Sequence, residues 1–116
     1  MAFKSGFERT VDANLRSRGV KYTYETLELP YTLNGIYHPD FILDNGIIIE
    51  VKGRLDRESI RKMIAVRKQY PDHDIRFLFM EANKKVPFQK QTHEKWADRN
   101  GYKWAVGVVP QEWIDE

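Results

Sequence analysis

Cysteine is absent from this 116-residue sequence, which removes disulfides, thiolate metal sites and thiol nucleophiles together. No apolar run approaches the roughly 18 residues that a membrane-spanning helix needs. No charged-then-apolar leader is present either, so a cytoplasmic setting without a membrane partner is expected. There is no phosphate-cradling Gly-rich loop and no Ser/His/Asp pattern, which leaves nucleotide-cofactor, hydrolase-triad and zinc readings with little support. An excess of one charge is also missing: 19 Lys and Arg stand against 17 Asp and Glu, for a net charge of +2. Such a balance does not by itself announce a nucleic-acid partner. With no repeat, low-complexity tract or linker, the chain reads as a single domain over 1–116.

What the sequence does hold is bulky core material, with six Phe, six Tyr and three Trp. Phe7, Val11 and Leu15 recur every four residues and Gly19 supplies a stop, which predicts a helix over 5–18. Residues 20–29, rich in Tyr and Thr, predict a strand ended by Pro30, and 31–38 reads as extended or irregular around Asn34-Gly35. A hairpin follows over 41–51, turning at Asp44-Asn45-Gly46. Ile60, Met63, Ile64 and Arg67 mark a helix over 56–70 closed by Pro71. A buried strand over 75–80, a helix over 92–100 and a last strand over 102–109 complete the order α, β, ββ, α, β, α, β. This is a mixed α/β chain with helices packed on a mixed central sheet.

The hairpin carries the chemistry. A two-residue Asn45-Gly46 loop would set Phe41 opposite Glu50 and Asp40 opposite Val51. A three-residue loop, with Gly46 left-handed, sets Phe41 opposite Ile49 and Asp40 opposite Glu50. Side chains alternate between faces, so a slip of one residue exchanges the buried set. Only the second register gathers Phe41, Leu43, Ile47, Ile49 and Val51 on one face, and it is the one expected.

The other face then carries Asp40, Glu50 and Lys52 side by side. Carboxylates directly opposite one another, with Cβ atoms roughly 5 Å apart, destabilise a sheet unless something compensates. A divalent cation is the economical answer, since Mg²⁺ takes one or two carboxylates plus waters and substrate phosphate. A bound ion polarises a phosphodiester and activates water, with Lys52 placed to orient that water or steady developing charge. The plainer reading, an exposed polar strand face, is opposed by the preceding Pro39 and by the aligned register. Glu8 fits a capping box in which it reaches back to the backbone of Ser5, or a catalytic place beside the hairpin as an oxygen ligand; the two roles are compatible. His38 precedes the motif and is a candidate for metal or phosphate contact, whereas His73 reads as a loop residue and His93 as part of a helix's first turn. Arg54, Arg57, Arg61 and Lys62 start the basic stretch that follows Lys52. Lys84, Lys85 and Lys90 form a second group around Pro87. Contacts of this kind position a duplex without reading its bases, and their affinity falls with salt.

Pro39-Asp40, nine residues and then Glu50-Val51-Lys52-Gly53 resemble the PD-(D/E)xK nuclease superfamily, which implies a restriction-endonuclease-like fold. Phe3-Lys4-Ser5-Gly6-Phe7-Glu8, Tyr37-His38-Pro39-Asp40-Phe41, Asn45-Gly46-Ile47, Asp74-Ile75-Arg76 and Pro110-Gln111-Glu112-Trp113-Ile114 extend the likeness. Together they resemble the bacteriophage endonuclease I family of four-way DNA junction resolvases over nearly the whole chain. The resemblance implies a catalytic set of Glu8, Asp40, Glu50 and Lys52, with one or two Mg²⁺ or Mn²⁺ ions held by Asp40, Glu50, Glu8 and the Val51 carbonyl. It further implies a homodimer that cuts branched double-stranded DNA in a host cytoplasm, its subunits exchanging segments so that the first-helix Glu comes from one chain and the rest from the other. Alternatives are a nicking, mismatch-directed or sequence-directed endonuclease of the same fold, and a DNA-binding module without activity.

Overall fold

The computed structural model describes residues 3–31, 35–81 and 91–116. Helix α1 (Gly6–Ser17) begins where the extended Ser5 accepts the Glu8 N–H on its hydroxyl at 3.1 Å. It ends as expected at Gly19, whose φ of +66° suits a residue without Cβ. Strands β1 (Tyr22–Tyr24), β4 (Phe41–Leu43) and β5 (Ile48–Lys52) follow, with β2 (Leu29–Tyr31) and β3 (Gly35–Tyr37) inserted between the first two. Helix α2 (Arg57–Gln69), β6 (Ile75–Phe79), α3 (His93–Arg99), β7 (Trp104–Val106) and α4 (Gln111–Asp115) complete the chain. The main sheet runs β1-β4-β5-β6-β7, antiparallel up to β5 and parallel from β5 to β7, while β2 and β3 pair as a separate ribbon. Among the described residues no helix is long and apolar enough to cross a membrane.

The hairpin adopts the three-residue turn. Gly46 has φ +91° and donates to the Leu43 carbonyl at 2.9 Å, and Leu43 N–H reaches the Ile47 carbonyl at 2.8 Å. Phe41 therefore lies opposite Ile49, and continuing the register puts Asp40 opposite Glu50. Phe41, Leu43, Ile47, Ile49 and Val51 share one core with Val11 and Leu15 of α1 and Trp113 of α4. Beyond the sequence expectation, the opposite face is a second core rather than a polar surface. Ile48, Phe77 and Phe79 pack there against Met63 and Val66 of α2, Trp96 of α3, and Leu29 and Tyr37 of the ribbon. Alternation along β6 serves both layers: Ile75, Phe77 and Phe79 enter the second core and Leu78 the first.

Three expectations need correction. The strand read over 20–29 stops at Tyr24, because Glu25 takes a left-handed φ of +54° and turns the chain out of the main sheet. Pro30 does not end a strand but sits inside β2, opposite Ile36, in a two-stranded ribbon whose open edge tolerates a missing N–H. The last strand is limited to Trp104–Val106 by Gly107 at φ +80°, and an additional helix, α4, follows Pro110. This helix is fastened from two sides. The Asn45 amide donates to the Trp113 carbonyl at 2.8 Å, and buried Arg76 lies over the Trp113 ring while binding Asp74 and Glu116.

Gly46 is the hinge of the register. Gly46→Ala forces Cβ into the left-handed region and should cost about 1 kcal/mol or more of unfolding free energy, read from denaturant melts.

Candidate active site

Asp40 and Glu50 are each only 3% exposed, so the pair read from the hairpin is an interior one. Peptide groups of β5 divide by register: Lys52 offers its carbonyl to Met80, just past β6, while odd-numbered residues point toward β4. Strand β4 begins at Phe41, so the Val51 N–H meets no backbone partner there and donates instead to Asp40 Oδ2 at 2.8 Å. In an extended strand a residue's carbonyl points the same way as its N–H. The Val51 carbonyl is thus directed to the same edge as the Asp40 carboxylate.

Glu50 is held at both oxygens. The Tyr37 hydroxyl, entirely buried, donates to Oε1 at 2.8 Å, and Lys52 Nζ lies 3.6 Å from Oε2. Burial first, and then Glu50 itself, push the Tyr37 hydroxyl well above its ordinary pKa, so it remains a donor. Lys52 takes its closer contact from Ser59, donating to Oγ at 3.1 Å. Ser59 is fixed by the start of α2, where its N–H donates to the N-cap Asp56 at 2.7 Å. The loop 53–56 between them is pinned by His93: Leu55 N–H donates to Nε2 at 3.2 Å, and Nδ1 lies 3.0 Å from the Glu81 carbonyl. Accepting at Nε2 while donating at Nδ1 requires the neutral ring.

On the Asp40 side the N-terminal segment closes the site. Glu8 is buried and completes only half of the capping box. Its carboxylate passes over Ser5 and accepts the Lys4 N–H at 3.1 Å, along with the hydroxyl of Tyr24. Burial and then this bond raise the Tyr24 pKa, which keeps the hydroxyl protonated. Lys4 Nζ stands 2.6 Å from Glu25 Oε1 and 3.8 Å from Asp40 Oδ1. Burial opposes the ammonium, yet Glu25, Asp40 and Glu8 outweigh it and raise the Lys4 pKa.

The balance at Asp40 is unfavourable to its anion. Burial first, then Glu50 and Glu8, push its carboxyl up to about 9 against the opposing Val51 N–H and Lys4. Neither ammonium makes a hydrogen bond to the pair; each has its short contact elsewhere. Two desolvated carboxylates with too little compensating charge and an all-oxygen donor set fit a hard cation. Among the described residues no three acidic or His side chains form a ready-made cage. The chain supplies two carboxylates and a carbonyl at this edge, which suits an ion that keeps several waters or binds phosphate oxygens.

Asp40, Glu50, Lys52 and Glu8 are thus brought together. Arg54, Arg57 and Arg61 are exposed around the start of α2, close to the site in the chain, and Lys62 Nζ lies 5.7 Å over the Tyr37 ring. His38 is on the surface with Nδ1 3.9 Å from Glu28. Lys84, Lys85 and Lys90 lie outside the described residues, as does Asn34. Sequence reasoning missed Tyr37, Ser59, Lys4 and Glu25. Ser59 was within reach, three residues beyond an Asp at a helix start; the other three act through contacts between distant segments.

The five-stranded mixed sheet, with Glu50 and Lys52 on its central strand and Asp40 just before the strand beside it, has the restriction-endonuclease-like fold. Crystal structures of an XisH family protein from Nostoc punctiforme and an fdxN element excision controlling factor protein from Anabaena variabilis match it in fold, each with a TM-score of 0.55. They are 19% and 21% identical, covering 91% of this chain and 93% and 92% of theirs. The chain belongs to the phage endonuclease I family, whose model matches residues 1–116. It is 37% identical to Endonuclease I of Escherichia phage T7 over 119 aligned positions, covering 99% of this chain and 80% of that protein. Endodeoxyribonuclease 1 of Enterobacteria phage T3 is 35% identical, with 99% and 78% covered. The protein is an endonuclease that cuts DNA.

The raised Asp40 pKa makes stability depend on pH. Between 3.8, the ordinary value, and about 9 the folded chain keeps a proton that the unfolded chain releases. Stability therefore falls as pH rises through that window. Thermal melts in EDTA should show this decline, and Asp40→Asn should flatten it; an equal slope in the variant would place the cause elsewhere.

Proposed function

We propose that the chain is a Mg²⁺-dependent endonuclease selective for branched DNA, acting as a homodimer in the host cytoplasm, with Mn²⁺ as a substitute ion. The observation that carries the chemistry is the buried Asp40–Glu50 pair flanked by Lys52. Kinship with the phage endonuclease I family supports the choice of substrate. Asp40, Glu50 and the Val51 carbonyl would hold the ion, with Glu8 near enough to serve a second. Such an ion supplies polarisation of the phosphodiester and a water of lowered pKa.

The chain's own residues do the rest. Val51 N–H and Tyr37 fix one oxygen of each carboxylate, so the remaining oxygens face the reaction in a set direction. Lys52, steadied by Ser59, presents an ammonium where negative charge grows on the phosphorus centre. Arg54, Arg57, Arg61, Lys62 and, on sequence grounds, Lys84, Lys85, Lys90 and His38 would meet the flanking phosphates, giving affinity that falls with salt. A two-fold dimer brings two such sites to two strands of a junction.

Cleavage of a four-way junction, a mismatched duplex and a plain duplex in Mg²⁺ tests the substrate. The junction should be cut fastest, and equal rates on all three would remove the claim of branch selectivity. Glu50→Ala and Lys52→Ala should slow cutting by on the order of 100–1000-fold or more while junction binding persists. Mixing inactive Glu8→Ala and Lys52→Ala proteins addresses the dimer. Recovered activity requires a site assembled from two chains, whereas a silent mixture means that each site draws all its residues from one.

A further inference from the structure

Lys4 has no part in the chemistry described above, yet its setting is unusual for a surface lysine. Its backbone is tied down, the N–H donating to Glu8 Oε1 at 3.1 Å. Its side chain is 57% exposed, while the two carboxylates it faces, Glu25 and Asp40, are 27% and 5% exposed. The ammonium is 2.6 Å from Glu25 and 3.8 Å from Asp40, drawn to the buried carboxylate without bonding it. Glu25 itself occupies the left-handed region, φ +54°, and its N–H donates to the Asp40 carbonyl at 3.1 Å. Non-glycine residues in this conformation concentrate where surrounding structure over-determines them, frequently at functional sites. The arrangement matches that at the other carboxylate, where Lys52 stands 3.6 Å from Glu50 and takes its short contact from Ser59. The Lys4–Glu25 ion pair, with its lysine 57% exposed, contributes little to stability on its own.

We propose that Lys4 is a further catalytic residue: its ammonium rests between Glu25 and Asp40, gives Asp40 up to a divalent cation, and meets an oxygen of the phosphate being cut. This rests on the metal-dependent reading of the Asp40–Glu50 pair. Two charged groups compete for Asp40, and the one on a tethered but solvent-exposed side chain is free to move. A phosphodiester approaching this edge meets Lys52 beside Glu50 and Lys4 beside Asp40, so that charge building on its oxygens is met at two points.

The role has a signature that a structural one lacks, because removing the ammonium should strengthen metal binding and weaken catalysis together. Calorimetry with Mn²⁺ alone should give Lys4→Gln an affinity about five-fold higher than the parent, the scale of one exposed ion pair. Single-turnover cleavage of a four-way junction at saturating Mn²⁺ should be about ten-fold slower or more in the same variant. Lys4→Arg, which keeps the cation, should restore most of the rate, and melting curves should overlay. An unchanged rate for Lys4→Gln, or Mn²⁺ affinity that stays level or falls, overturns the proposal. Lys52→Ala in the same assay separates the two failures. If it is dead while Lys4→Gln cuts normally, Lys4 alone is wrongly assigned; if it still cuts, the underlying site is wrong.

Discussion

Like charges held side by side away from water repel, and in this protein the hydrophobic core enforces that repulsion. Two unit charges about 5 Å apart at an effective dielectric near 20 disfavour one another by roughly 3 kcal/mol. The Asp40–Glu50 pair cannot relax by slipping one residue along the hairpin, because the same slip would turn Phe41, Leu43, Ile47, Ile49 and Val51 away from their core. Five apolar side chains therefore hold two acidic ones together. Without an ion the fold answers that repulsion with a proton kept on Asp40, and with the Val51 N–H, the Tyr37 hydroxyl and two lysines at ion-pair distance. What remains is an affinity for positive charge, stored in the fold before substrate arrives.

Second-layer contacts turn that affinity into direction. Each carboxylate has one oxygen fixed by a neutral donor, which leaves the other for the ion proposed above. Each lysine is aimed by a partner outside the pair, Ser59 for one and Glu25 for the other. Ser59 in turn depends on the Asp56 cap of α2, and the loop between Lys52 and α2 depends on His93. The site thus draws on both cores: α1 and the segment before it bring Glu8 and Lys4, while α2, α3 and the ribbon hold Lys52, the 53–56 loop and Tyr37.

The edge that pairs Asp40 with Glu50 was legible in the sequence because its geometry is local. A period-two pattern and a left-handed Gly46 are enough to fix the register, and the register alone sets Asp40 across from Glu50. Helices α1 and α2 were legible through their apolar spacing and their stops. Glu25 was not, since nothing in its side chain announces a left-handed backbone; its conformation comes from the Asp40 carbonyl fifteen residues later. The same break separates β1 from β2 and hid the ribbon that carries Tyr37. Helix α4 has too few residues to show a period, and it is secured by Asn45 and Arg76 from elsewhere. Where the sequence reading failed, long-range contacts had overridden local preference, and two of those places border the Asp40–Glu50 pair.

A site in which no three acidic or His side chains among the described residues form a closed cage suits an enzyme whose substrate is far larger than itself. A closed cage of protein ligands would satisfy an ion completely and leave no position for a phosphate oxygen. Here Asp40 and Glu50 neutralise a divalent charge on paper, but their second oxygens are already engaged with Val51 N–H and Tyr37. The shortfall in ligands can then be met by the scissile phosphate itself. In the metal-dependent reading proposed above, binding and positioning would become one event, with the ion held most firmly when DNA is in place.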